Sequence, residues 1–150
     1  MLVEKNLVFY DAPLTNQNDL FDFMADQLME RNYVKEGFRD AIKNREEKYP
    51  TGLKLDGLNL AISHVEKEYA NAQKLVVIMP EKPIIFKNIE TFDPLEVNLV
   101  FGIILNNSNE HLEILKNISQ MFQEKEMINK INNIDSKEQL SILMQGYFNS

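Results

Sequence analysis

The chain has 150 residues, 44% hydrophobic and 26% charged, which fits a single globular domain built on one sizeable core. It has no cysteine and only two histidines, which excludes disulfides, thiolate nucleophiles, zinc–thiolate sites and a His-rich metal site. Its net charge of −7 argues against nucleic acid as the main partner and favours a basic protein partner.

No apolar run approaches the ~20 residues that a membrane span needs. The opening Met1-Leu2-Val3-Glu4-Lys5-Asn6 has an acid where a signal peptide carries positive charge. The expectation is a cytoplasmic protein with residues 1–150 in one domain.

Leu7-Val8-Phe9 reads as a first strand, closed by Asp11-Ala12-Pro13. A helix is expected from Asn18, with Asn18 as cap and Asp19 in the first turn, ending near Asn32. Leu20, Met24 and Leu28 mark its core face. A second helix covers about Lys35 to Lys48. Phe38, Ala41, Ile42 and Arg45 share one face of it, so Arg45 extends the apolar stripe while Lys43 and Glu46 point to water. Pro50 ends this helix.

Thr51-Gly52 and Asp56-Gly57 read as turns, and the segment between them as one arm of a small hairpin. Leu58, Leu60 and Ile62 alternate with Asn59, Ala61 and Ser63, a half-buried strand that delivers His64 at its tip. Leu75 to Met79 and Val97 to Leu105 are near-continuous apolar runs, suited to central strands covered on both faces. Pro83 to Phe86 is a shorter edge segment, and residues 89–94 are a loop. Asn107 or Ser108 caps a helix running to Lys125, with Leu112, Leu115, Ile118, Ser119 and Phe122 in helical spacing and His111 in the first turn. Met127 to Ile131 forms a short helical turn. Ser136 caps a last helix, with Leu140, Leu143 and Met144 facing the core. Helices before, between and after apolar strands give an α/β three-layer sandwich, with a mixed central sheet and helices on both faces.

A neutral imidazole is a nucleophile near pH 7 and can carry a phosphoryl group. The protein must then supply in-line access and donors for the equatorial oxygens. Arg45 offers a fixed cationic fork, and the helix amides of residues 109–111 offer an anion seat. His111 is a further donor, and Ser63 and Thr51 add hydroxyls. Such a site needs no metal or cofactor. Taken singly, each residue also has an ordinary structural reading. Arg45 can snorkel at a helix end, His64 can be a satisfied core histidine, His111 an exposed helix-start residue, and Ser63 and Thr51 turn chemistry.

The stretch Arg45-Glu46, Pro50-Thr51-Gly52-Leu53, Gly57 and Ala61-Ile62-x-His64, followed by His111-Leu112-x-Ile114-Leu115, resembles the phosphorylation-site pattern of a known family. These are the enzyme IIA domains of the fructose–mannitol–galactitol type, from the bacterial sugar phosphotransferase system. The Tyr49-Pro50-Thr51-Gly52-Leu53 wording is most similar to the galactitol-type branch. The resemblance covers nearly the whole chain. It implies that His64 accepts a phosphoryl group from the histidine protein HPr, with Arg45 and His111 around the ring. His64 would pass the group to a IIB component, usually on a cysteine, for uptake of a galactitol-like polyol or related sugar. Some relatives are instead regulatory modules, in which phosphorylation of the histidine controls binding to a regulator. The family usually has proline before the histidine, where this chain has Ser63.

Overall fold

A computed structural model describes residues 1–149; Ser150, the last residue of the expected domain, lies outside them. The central sheet has five strands: β1 (Val8–Ala12), β2 (Gly52–Leu55), β3 (Leu58–His64), β4 (Lys74–Pro80) and β7 (Leu99–Ile104). Their order across the sheet is β1-β4-β7-β3-β2. The β1/β4 and β3/β7 pairs are parallel, and the β4/β7 and β2/β3 pairs are antiparallel. The sheet is therefore mixed, as expected.

Alternation along each strand divides the core into two layers. Ala61, Val76, Ile78, Val100 and Ile104 face α1 (Gln17–Glu30) and α2 (Phe38–Lys48). Leu60, Ile62, Val77, Leu99, Phe101 and Ile103 face α3 (Ser108–Met121), α4 (Lys125–Asn132) and α5 (Lys137–Phe148). Helices on both faces make this the three-layer α/β sandwich that the sequence implies. No helix among the described residues is long and apolar enough to cross a membrane.

Several boundaries differ from expectation, each for a local reason. The cap of α1 is Asn16, not Asn18, because the Asn16 side chain accepts from the amide of Asp19 at 2.8 Å. The second helix starts at Phe38 rather than Lys35, after Gly37 in the left-handed region at φ 94°. The apolar run from Val97 to Leu105 is not one strand. It breaks at Asn98, whose amide donates to the Asn59 carbonyl at 2.9 Å. Pro94–Val97, the tail of the expected loop together with the head of the expected strand, forms β6, which pairs antiparallel with β5 (Ile84–Lys87) in a separate two-stranded sheet. That small sheet packs Ile84, Phe86, Leu95 and Val97 onto the α1/α2 layer.

The third helix stops at Met121, short of Lys125, and α4 begins after Glu124. Its buried row is Ile114, Ile118 and Met121, so Leu112 is left 68% exposed. Ser136 caps α5 as expected, accepting from the Gln139 amide at 3.1 Å.

Candidate active site

The parallel pairing of β3 with β7 decides where this site forms. Both strands point the same way, with His64 opposite Ile103 in register. The chain leaving β7 turns at Asn106 and Asn107 and enters α3, so the first turn of α3 lies at the same sheet end as His64. Open α/β sheets commonly build sites at such strand ends, beside helix N-termini. The rings of His64 and His111 meet there edge to face, with centroids 4.8 Å apart and planes at 79°.

His64 has the parity of Leu60 and Ile62, so its ring leaves the strand on the α3 side. Its Nδ1 lies 3.0 Å from the carbonyl oxygen of Ile62. A carbonyl can only accept, so Nδ1 carries the proton and donates. In the neutral ring this leaves the lone pair on Nε2. Nη2 of Arg45 lies 3.3 Å from that nitrogen and donates to it. Burial holds the His64 pKa below the ordinary histidine value, with the nearby Arg45 and His111 adding to the effect; the bond to the Ile62 carbonyl acts the other way. Burial also depresses His111, helped by Arg45. Both rings are therefore held neutral at pH 7.

Arg45 sits in the last turn of α2, where a cation also meets the negative end of the helix dipole. Its side chain is 29% exposed. Nη1 pairs with Glu66 at 3.2 Å, and the guanidinium carbon lies 5.1 Å from the centre of the Tyr49 ring. The fork is thus held from three sides. His64, Arg45 and His111 share one open depression of about 470 Å³, with Glu66, Asn107 and Leu112 on its wall.

The helix amides are placed differently from the expectation. The Asn107 side chain accepts from the Asn109 amide at 2.9 Å and from the Glu110 amide at 3.4 Å. The His111 amide donates to the Asn107 carbonyl at 3.2 Å. The helix's own cap uses the donors that the sequence offered to an anion.

Ser63 and Thr51 are also not beside the ring. Ser63 lies on the opposite face of β3 from His64 and is fully buried, and Thr51 is 6% exposed. Their hydroxyls go to Glu46, at 3.2 Å from Ser63 and 2.8 Å from Thr51. Glu46, expected in water, is only 3% exposed. It sits four residues after Ile42 and continues the buried row of Phe38 and Ile42 more directly than Arg45 does. The Thr51 amide gives it a further bond at 2.7 Å. Burial raises its pKa, while the bonds from Thr51 and Ser63 oppose the rise. The Phe38–Ile42–Glu46 spacing was a visible signal. Glutamate is seldom buried, and the Ser63 donor comes from a strand that is distant until the chain folds.

No group of three or more His, Cys, Asp or Glu side chains among the described residues is placed to hold a metal ion. The arrangement has one nucleophilic nitrogen, one cationic fork and one neutral imidazole in a shared opening. Chemically it can accept a compact dianion such as a phosphoryl group.

A mixed-sheet sandwich with this opening defines the class of small α/β group-carrier domains. The sequence model of the "Phosphoenolpyruvate-dependent sugar phosphotransferase system, EIIA 2" family matches residues 1–146, and the chain belongs to that family. Its members are phosphotransferase components, which relay phosphoryl groups. The chain is 30% identical over 113 residues to the mannitol-specific phosphotransferase enzyme IIA component of Halalkalibacterium halodurans, covering 75% of this chain and 73% of that one. It is 20% identical over 128 residues to the galactitol-specific EIIA component of Escherichia coli K12, covering 85% and 82%. Among solved structures, nitrogen regulatory protein IIA-Ntr of Neisseria meningitidis aligns with a TM-score of 0.78 at 22% identity, over 95% of this chain and 96% of that one. The mannitol enzyme IIA of E. coli, solved in complex with phosphorylated mannitol enzyme IIB, aligns with a TM-score of 0.74 at 18% identity, over 97% and 99%. These two structures share the fold.

Proposed function

We propose that the chain takes a phosphoryl group from phospho-HPr onto Nε2 of His64 and passes it to a IIB component. The work it serves is uptake of a galactitol-like polyol or a related sugar. The observation that carries this reading is the assignment of the two ring nitrogens. Nδ1 is spent on the Ile62 carbonyl, so Nε2 alone carries the ring's lone pair, which accepts from Arg45 until that fork moves to the phosphoryl oxygens.

The Nε2 lone pair attacks phosphorus in line with the donor's P–N bond. That bond breaks, and the donor ring leaves with the bonding pair. The His64 ring becomes cationic, with its Nδ1–H still on the Ile62 carbonyl, and the phosphoryl oxygens carry two negative charges, which leaves a net negative charge of one for Arg45 to meet. Arg45 turns its fork from Nε2 to those oxygens, and His111 supplies a neutral donor. Onward transfer reverses this at Nε2. A cysteine thiolate of the acceptor attacks phosphorus, and the N–P bonding pair returns to the ring.

The IIB assignment is supported by the complex of the E. coli mannitol enzyme IIA with its phosphorylated IIB. The polyol assignment is supported by the mannitol- and galactitol-specific relatives. The test is incubation with phosphoenolpyruvate, enzyme I and HPr, followed by mapping of the modified peptide. One acid-labile, base-stable phosphoryl group on His64 is expected. Full labelling of His64→Ala would overturn the assignment.

A further inference from the structure

We propose that Glu46 is a positioning residue whose buried carboxylate ties the end of α2 to β3 through Ser63, and so sets the Arg45–His64 separation. The proposal rests on the phosphoryl-transfer reading above and adds a part that this reading does not use. Glu46 stands next to Arg45 on the last turn of α2, and Ser63 stands next to His64 on β3. The bond from Ser63 Oγ to Glu46 Oε1, 3.2 Å long, therefore sits one residue from each partner of the Arg45–His64 contact. It lies on the face of β3 opposite the opening, where no solvent competes for it. Ser63 is 0% and Glu46 3% exposed.

The other bonds to Glu46 have a different reach. The amide of Thr51 and its hydroxyl both come from the connection that directly follows α2, five residues on. They shape that turn. Of the bonds to Glu46 among the described residues, only the one from Ser63 joins the helix to the sheet. The sheet end of the tie is rigid, because Ser63 and His64 are laddered to Gly102 and Ile103 of β7. The helix end needs such a tie. Arg45 is otherwise held by partly exposed Glu66 and exposed Tyr49, contacts that water and salt weaken.

The choice of residue points the same way. Among the described residues, no Lys or Arg forms an ion pair with Glu46. A buried carboxylate without an ion-pair partner is costly even with the Arg45 charge nearby, and packing alone would be better served by an apolar side chain. Three neutral donors converging on it compensate that cost and fix its direction. Glu46 hydrogen-bonds to Thr51 and Ser63 and to neither imidazole, so it acts through Arg45 and not on the phosphoryl group.

The experiment uses the intact chain and compares Ser63→Ala and Glu46→Gln, each alone and combined with Arg45→Ala. Two readouts are taken: the rate of phosphorylation by phospho-HPr, split into kcat and KM, and the ¹⁵N shift of His64 Nε2 in the unphosphorylated protein. Ser63→Ala is expected to lower kcat about tenfold with KM for phospho-HPr unchanged. It should move the Nε2 shift toward that of a nitrogen accepting no bond. In the Arg45→Ala background the same substitution should cost nothing further. An unchanged rate and shift in Ser63→Ala would overturn the proposal, and so would an equal loss with and without Arg45. If Glu46→Gln fails to fold, Ser63→Ala still decides the matter. The nitrogen shift needs no phosphoryl donor, so it tests the tie even if His64 proves not to be the acceptor.

Discussion

The imidazoles of His64 and His111 stand 4.8 Å apart, edge to face, although one comes from β3 and the other from α3, with four further strands between them in the chain. Two neutral rings this close share one opening with a single guanidinium. Lys67, Glu66 and Glu68 also line that opening, and the balance of these charges governs how tightly an anion is held there.

Arg45 is predicted to dominate the transfer step. Removing one preorganised donor to developing negative charge costs on the order of a hundredfold or more in rate. Arg45→Ala should lose about that much, with little change in thermal stability, since the side chain is partly exposed. Arg45→Lys should recover only part of the rate, because a point charge cannot span two oxygens as a planar fork does. Quench-flow rates with phospho-HPr check both. Unchanged rates would return Arg45 to a structural role at the helix end.

His111→Ala should slow transfer less, by about five- to tenfold, the worth of one neutral hydrogen bond. Its effect should fall on kcat, because the ring lies inside the opening and not on the outer rim. A loss confined to KM would instead place His111 in partner docking.

The pH dependence follows from the direction of the His64 shift. The attacking ring must be neutral, and burial moves its pKa below the ordinary 6.5. As pH falls through 6.5, a free histidine would lose half its nucleophile, whereas His64 should keep more than half of its neutral form. The acid limb of the phosphorylation rate should therefore begin below that value. An NMR titration of the His64 ring gives the same quantity directly. A midpoint at or above 6.5 would contradict the burial argument.

Docking should be sensitive to salt. Glu47, Glu66, Glu68 and Glu110 are exposed and lie close in sequence to the site residues. Glu46, although next to Glu47 in the sequence, is buried and does not belong to this rim. Rim charges act mainly on encounter rate and are screened by ions. Second-order phosphorylation by HPr should slow as ionic strength rises. Glu66→Lys or Glu68→Lys should slow it further and flatten the salt dependence. Leu112, 68% exposed on the wall of the opening, offers apolar contact, and Leu112→Asp should raise KM at every salt concentration. A rate indifferent to salt would leave docking to that apolar contact.

Two glycines make opposite stability predictions. A Cβ on Gly52 would lie 2.5 Å from the Lys87 carbonyl oxygen, where β2 meets the β5–β6 hairpin. Gly52→Ala should destabilise by about 1–3 kcal/mol. Gly146, inside α5, has nothing within 4 Å of such a Cβ. Gly146→Ala should stabilise by about 0.5–1 kcal/mol. Urea midpoints of the two variants against the parent chain measure the difference.

The sequence by itself determined the layers, because the signals are local. Leu20, Met24 and Leu28 mark a helix face through spacing alone, and Leu58, Leu60 and Ile62 mark a strand face in the same way. Strand parity also put His64 with the apolar set and Ser63 on the other face. Nothing local says what a buried hydroxyl such as that of Ser63 will meet. That depended on pairing. Only the parallel alignment of β3 with β7 brings the start of α3 to His64, and only the packing of α2 on the sheet brings Glu46 to Ser63. Each of these contacts joins residues far apart in the chain. The closure entropy of those loops is offset by the burial of the whole core, not by any feature of the residues that meet. The long apolar run from Val97 to Leu105 shows the same limit. Its composition suits one strand, but Asn98 bonds to Asn59, and the chain before it is spent on a second sheet.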